Sequence, residues 1–288
     1  MKKLLLRGAA ALAVFVAALV GFVYFQFSQL MAKEYKRPEF TISDEVAAAD
    51  LELGKRIYGV RAGCVDCHGE DLAGKMVIDD PAMGVIHGAN ITPYKLSNWS
   101  DEDIAAIIRY GVHKDGRSAR GMPSFDYENM SKSDIAALIK YVRSVPPVEK
   151  ESHQNTYGPV GRALTVFGQL PLLVPASHID QTKGFGEKPA EGPTYEFGKY
   201  LANSCVGCHG SEYRGGPIPG GDPKWPPASD IRLGANAKYN EESFRQMIAT
   251  GISPVTNLPI KPPMPVALLK QMNDTEIKAL WEFFKTLK

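Results

Sequence analysis

The 288-residue chain has no basic run after its first residues, and its formal net charge is only +1 with 23% charged residues. A nucleic-acid partner needs a basic domain or stripe to meet its phosphates, so that class of function is excluded. Cysteine is scarce: the only four are Cys64, Cys67, Cys205 and Cys208, all within two matching pentapeptides, which leaves none for a disulfide. A small-x-small cleavage site is also missing after the one long apolar run. That run covers Gly8 to Phe27, twenty residues (27 − 8 + 1) with Gln26 its one polar member. At about 1.5 Å per residue it crosses about 30 Å of hydrocarbon, and it exceeds the roughly 7 to 15 apolar residues of a signal peptide. An uncleaved membrane anchor over residues 1–30 is expected, followed by a juxtamembrane linker over 31–49. Lys2, Lys3 and Arg7 face Lys33, Lys36 and Arg37 across it, so basic residues alone do not orient the span.

The pentapeptides are Cys64-Val65-Asp66-Cys67-His68 and Cys205-Val206-Gly207-Cys208-His209, both of the C-x-x-C-H form that attaches haem c. Two thiols one helical turn apart reach the two vinyl groups of one haem as thioethers, and the adjacent His points its imidazole at the iron. A redox dithiol does not need the following His. A four-cysteine zinc site needs two knuckles that fold together, and here they lie 141 residues apart (205 − 64). Two covalent haem c groups are therefore expected, with His68 and His209 as iron ligands. Attachment of this kind takes place outside the cytoplasm, which orients the anchor and puts the haem domains on the periplasmic face of the cytoplasmic membrane.

An iron that passes electrons needs a sixth ligand, and Met is the usual one in c-type cytochromes. Met122 follows His68 by 54 residues (122 − 68) and Met264 follows His209 by 55 (264 − 209). Each precedes a proline, which presents it from a rigid extended loop. Met130 and Met272 stand eight residues further on in both copies (130 − 122, 272 − 264), but they abut helix starts at Ser131 and Asn273, where Met more often packs into core. Met122 and Met264 are the expected ligands.

The match extends beyond the motifs. Leu53-Gly54-Lys55 parallels Phe197-Gly198-Lys199, and the offset of 142 between Met122 and Met264 also relates Ser131 to Asn273, Asp134 to Glu276, Leu138 to Leu280 and Tyr141 to Phe283. Ser131-x-x-Asp134 and Asn273-x-x-Glu276 predict helix N-termini, and Ile135, Leu138, Ile139 and Val142 mark one helical face. Trp99-Ser100-Asp101-Glu102-Asp103 starts another helix that stops near Gly111; Glu241 to Ile248, stopped at Gly251, is its counterpart. Each copy reads as helix, haem motif, long loop, helix, Met-Pro loop, helix. The copies occupy residues 50–146 and 194–288, and the Pro- and Gly-rich connector between them, 147–193, is expected to be a strap packed across one or both domains.

These residues resemble the class I cytochrome c superfamily twice over, which implies a mostly α fold: two such domains in tandem after an N-terminal transmembrane helix. The stretch Gly88-Ala89-Asn90-Ile91-Thr92-Pro93, with Trp99 to Ile104, Gly111 to Arg117 and Met122-Pro123, is similar to cytochrome subunits of membrane-bound alcohol, aldehyde and gluconate dehydrogenases. Those subunits typically carry three haem domains, whereas two motifs stand here. The resemblance implies that Gly54 and Gly198 allow first and last helices to cross closely against Tyr141 and Phe283. It also implies an electron carrier rather than an enzyme, working between a dehydrogenase or respiratory complex and another redox carrier or oxidase. A dihaem enzyme of peroxidase or thiosulfate-oxidising type is the alternative, and it needs an iron that is open or held by Cys or two His. His113, Arg117 and Arg120, just before Met122, either meet haem propionates or form a solvated basic loop.

Overall fold

The computed structural model describes residues 2–219, 221–222, 224–236 and 238–288. About half the chain is helical, with little sheet. It opens with a single helix, α1 (Lys2–Ala32), exposed along most of its length, with Val23 and Phe27 buried and Gln26, Leu30 and Met31 partly buried near its C-terminal end. The following residues are pinned to the first repeat: Tyr35 donates its N–H to the Gly116 carbonyl and Arg37 binds Asp103, before a short α2 (Ser43–Ala48).

Asp50 caps α3 (Leu51–Arg56) by accepting from the N–H groups of Glu52 and Leu53. A π-helical turn, Ile57–Arg61, then leads to α4 (Val65–His68), the first attachment motif. The loop expected next contains a small hairpin, β1 (Met76–Asp80) and β2 (Gly84–His87). A short α5 (Pro93–Leu96) precedes α6 (Asp101–Tyr110), which starts with a reciprocal Ser100/Asp103 capping box and stops at left-handed Gly111. The Met122 loop and a 3₁₀ turn, Ser124–Tyr127, lead to α7 (Lys132–Ser144). After the connector, Thr194 caps the first helix of the second repeat.

The connector folds back on the first repeat. Its Thr156–Tyr157 forms β3, third strand of the order β1-β2-β3, and α8 (Pro159–Val166) lies against the end of α1. Leu170, Leu173, Val174 and Ala176 are buried beyond it. The second repeat contains α9 (Tyr195–Ala202), the motif helix α10 (Val206–His209), α11 (Glu241–Thr250), α12 (Val266–Leu269) after Met264, and the closing α13 (Asp274–Phe284). Left-handed Gly251 stops α11, as Gly111 stops α6. Ile57, Ile135, Ala136 and Ile139 centre one core; Phe197, Ala279, Leu280 and Phe283 centre the other.

In each repeat the first helix crosses the last at backbone contact. A Cβ on Gly54 would run into the carbonyl oxygen of Ala137 and the Cβ of Tyr141; one on Gly198 would run into the carbonyl of Ala279 and the Cβ of Phe283. The repeats then meet through equivalent positions. Arg56 Nε donates to Glu276 Oε1 at 2.8 Å, and Tyr200 OH donates to Asp134 Oδ2 at 2.8 Å. Arg56 and Tyr200 are each two residues beyond the crossing glycine (56 − 54, 200 − 198), and Asp134 and Glu276 are partners at the offset of 142. Position i of one repeat therefore touches position j of the other, and the reverse, as in an interface between two-fold-related subunits.

Both helix starts are capped as expected, but the two acids are used differently. Glu276 completes its capping box with Asn273 and also accepts from Arg61 Nε at 2.7 Å. Asp134 leaves the capping to Ser131 and turns its carboxylate to Tyr200 and to Lys188 of the connector, 2.7 Å away. Arg61 and Lys188 both bind Glu191, so the connector's end closes the network. Burial pushes Glu276 up, but the two guanidiniums outweigh it and hold the carboxyl below the usual range. Replacing Glu276 by Gln takes the anion from Arg56 and leaves Arg61, itself nearly buried, with only the more exposed Glu191. We expect about 3 to 5 kcal/mol of lost stability in urea unfolding of the haem-loaded protein, against about 1 kcal/mol for Tyr200→Phe.

Candidate haem sites

The two attachment motifs adopt one local structure. Cys67 and His68 lie in α4 with Cys64 capping it; Cys208 and His209 lie in α10 with Cys205 capping it, so each thiol pair is one turn apart. Both helices stop at a glycine that no L side chain suits, Gly69 at φ 81° and Gly210 at φ 75°. His68 Nδ1 is 2.8 Å from the carbonyl of Ala89, and His209 Nδ1 is 2.8 Å from the carbonyl of Ser229. A bond of this kind fixes the tautomer and orientation and leaves Nε2 free for a metal. Burial lowers the pKa of both imidazoles against the opposing effect of these carbonyls, which favours the neutral, ligating form.

The thiols lack the environment of a redox pair. Burial, with the neighbouring Cys67 adding to it, pushes Cys64 up to about 12, and burial pushes Cys205 up to about 11. A redox C-x-x-C depends on the opposite, a depressed thiol pKa.

Met122 and Met264 stand on matching turns. The N–H of Ser124 donates to the Met122 carbonyl at 2.9 Å, and that of Val266 to the Met264 carbonyl at 2.8 Å. Between them Pro123 has φ −80°, ψ 56° and Pro265 has φ −81°, ψ 62°, so each methionine opens an inverse γ-turn. Met122 packs at the edge of the first core with Cys64, Val65, Ile91, Trp99 and Tyr127. Met130 and Met272 pack against the two cores at the starts of α7 and α13. Two thiols, a preset imidazole, a methionine on a rigid turn and an apolar wall suit a covalent haem in each repeat.

The Gly88-to-Pro93 stretch, noted in the sequence only by likeness, has a definite physical role. Gly88 lies so close to the backbone of Cys67 that a Cβ would strike its carbonyl. Ala89 holds His68, and buried Asn90 donates through Nδ2 to the carbonyls of Val148 (2.9 Å) and Lys150 (2.8 Å), pinning the connector. His113 pairs with Asp115 at 3.0 Å and sets its ring edge-on to Trp99. Arg117 sits where the backbone bridges to Glu34.

Sequence reasoning missed the contact between one repeat's Met turn and the other's motif. The turn after Met122 (Ser124–Tyr127) packs on the 3₁₀ turn Asn203–Cys205 and on α10; α12, after Met264, packs on the Ile57–Arg61 turn. The carboxylate of Asp126 lies against Gly207, inside the second motif, where a Cβ would meet it at 2.7 Å. No local spacing marks this pairing.

The comparisons with known proteins agree with this geometry. Residues 49–142 match the family described as cytochrome C oxidase, cbb3-type, subunit III, and residues 196–288 match the family described as cytochrome c. The chain is a tandem of two cytochrome c domains. One of the subunits of nicotinate dehydrogenase from Pseudomonas putida is 25% identical over 269 residues, covering 84% of this tandem cytochrome and 22% of that protein. The cytochrome c subunit of alcohol dehydrogenase (quinone) of Gluconobacter oxydans is 29% identical over 192 residues, 62% of this chain and 38% of that one. Cbb3-type cytochrome c oxidase subunit CcoP of Helicobacter pylori is 30% identical over 99 residues, 34% of this chain and 29% of that one. The tandem cytochrome thus spans less than two-fifths of each of these relatives.

Burial pushes Asp126 up to about 7. A carboxyl raised in the fold is tolerated while neutral and costs stability once it must ionise, so stability falls as pH rises from about 4 through about 7 and then levels off. Asp126→Asn removes that loss. Its melting temperature in the haem-loaded protein should match the parent's at pH 4 and exceed it by a few degrees at pH 8; equal melting at both would refute the assignment.

Proposed function

We propose that the chain is a membrane-anchored dihaem electron carrier. One haem would be bound by Cys64 and Cys67 with His68 and Met122 as iron ligands, the other by Cys205 and Cys208 with His209 and Met264. The observation that carries this reading is the duplicated geometry: the same imidazole–carbonyl bond and the same Met-Pro γ-turn in both repeats. Bound haem c supplies an iron that cycles between two oxidation states. These residues would give each iron two protein ligands, with the imidazoles held neutral and oriented by their carbonyl bonds, and an iron held in that way would have no position left for a substrate. The dihaem-enzyme alternative needs an open, Cys-held or bis-His iron, and every cysteine is taken by the motifs.

Helix α1 anchors the protein, with residues 31–49 leading to domains at 50–146 and 194–288 and a strap at 147–193. The anchor lies in the cytoplasmic membrane and the domains face the periplasm, where attachment of haem c takes place. Electrons pass between a dehydrogenase or respiratory complex and another carrier or oxidase; the relatives named for dehydrogenase and oxidase subunits support partners of that kind. Tethering raises the effective concentration of such a neighbour.

Pyridine haemochrome analysis should return two haems per chain. Met122→His and Met264→His should each remove about half of the methionine-to-iron(III) absorption near the red edge while keeping both haems. A single substitution that abolishes the whole band, or neither having an effect, would overturn the ligand assignment.

A further inference from the structure

An exposed apolar surface on the connector runs on from the anchor helix. Val160 and Phe167, at either end of α8, are 45% and 58% exposed, and Phe22, Tyr24 and Phe25 are exposed on α1, the helix that α8 packs against. Between the two elements Val23 and Phe27 are buried, and Leu164 and Val166 pack with Phe27, Leu170 and Leu173. Arg162 stacks its guanidinium 4.5 Å above the Tyr24 ring and 5.0 Å from that of Phe27.

Length decides where this junction lies. From Gly8, the first residue after Arg7, to Phe22, the last before protein covers the helix, is fifteen residues (22 − 8 + 1). At about 1.5 Å each they rise about 22 Å, short of the about 30 Å of a bilayer's hydrocarbon. The full thickness is reached only near Phe27, the residue under α8. The outer edge of the hydrocarbon therefore falls at the level of α8, where aromatic rings and an arginine with its stem along apolar surface are the side chains that suit a membrane interface.

We propose that the α8 segment of the connector is seated in the outer leaflet of the membrane, with Val160 and Phe167 inserted at the boundary between acyl chains and headgroups. This rests on the reading of α1 as a retained anchor. The occupant is lipid because the surface is continuous with the lipid-facing side of α1 and lies within the thickness that the bilayer must fill. Seated this way, α8 sets the tilt of the first domain on the membrane through β3 and the buried Leu170–Ala176 stretch.

The test is photocrosslinking of the full haem-loaded chain in nanodiscs of phosphatidylethanolamine and phosphatidylglycerol. p-Benzoylphenylalanine is placed singly at Phe167, at Phe15 in the anchor, or at Trp225, which is 44% exposed in the second domain. Intact mass should show a one-phospholipid adduct for Phe15 and Phe167, with a yield at Phe167 at least several-fold that at Trp225. An adduct at Phe15 with none above the Trp225 background at Phe167 would sink the seating of α8 while leaving the anchor intact. No adduct at Phe15 would remove the anchor reading and the inference with it.

Discussion

At the crossing of α3 over α7 there is no room for a methyl group, because Gly54 presses its α-carbon against the carbonyl of Ala137; Gly198 does the same on Ala279. This close approach brings the first and last helix of each repeat together as one unit, with the haem motif leaving from the end of the first. It also sets what lies two residues further along. Arg56 and Tyr200 emerge from the crossing toward the other repeat, where Glu276 and Asp134 wait at the starts of the closing helices. Two missing side chains thus govern both the interior of each domain and the contact between them.

The contact between the repeats combines buried polar groups with the Met turns. Each turn following a Met-Pro pair packs on the approach to the other repeat's attachment motif, so the two proposed haem sites face a common boundary rather than opposite ends of the molecule. The connector then ties the parts together. Its Lys188 and Glu191 join the interdomain ion network, its Val148 and Lys150 carbonyls bind the residue next to the one that holds His68, and β3 completes the hairpin. Buried ion pairs of this sort specify an arrangement more than they add net stability.

Much of this was legible in the sequence because it depends on local spacing. The C-x-x-C-H motifs, the helix starts at Ser100, Ser131 and Asn273, the stops at Gly111 and Gly251, and the pairing of Gly54 with Gly198 all rest on residues a few positions apart or on short stretches that are alike in the two copies. What escaped lies elsewhere. The β1 strand is solvent-facing at both ends and lacks an apolar-polar alternation, and its third strand is two residues long and arrives from the connector. Asp134 and Glu276 were readable as caps, but their partners are 66 and 220 residues away (200 − 134, 276 − 56), beyond any local pattern. Asp126 carries no local signal either, because the Gly207 it lies against is 81 residues away (207 − 126).

The reciprocal contact also shows what one continuous chain permits. In a dimer of identical subunits, any residue at the position of Arg56 would appear twice and would have to suit both halves at once. Here the equivalent places hold Arg56 facing a glutamate and Tyr200 facing an aspartate that a lysine already satisfies. Covalent joining has freed the two halves to diverge, so each domain has its own electrostatic surroundings within a shared symmetric frame.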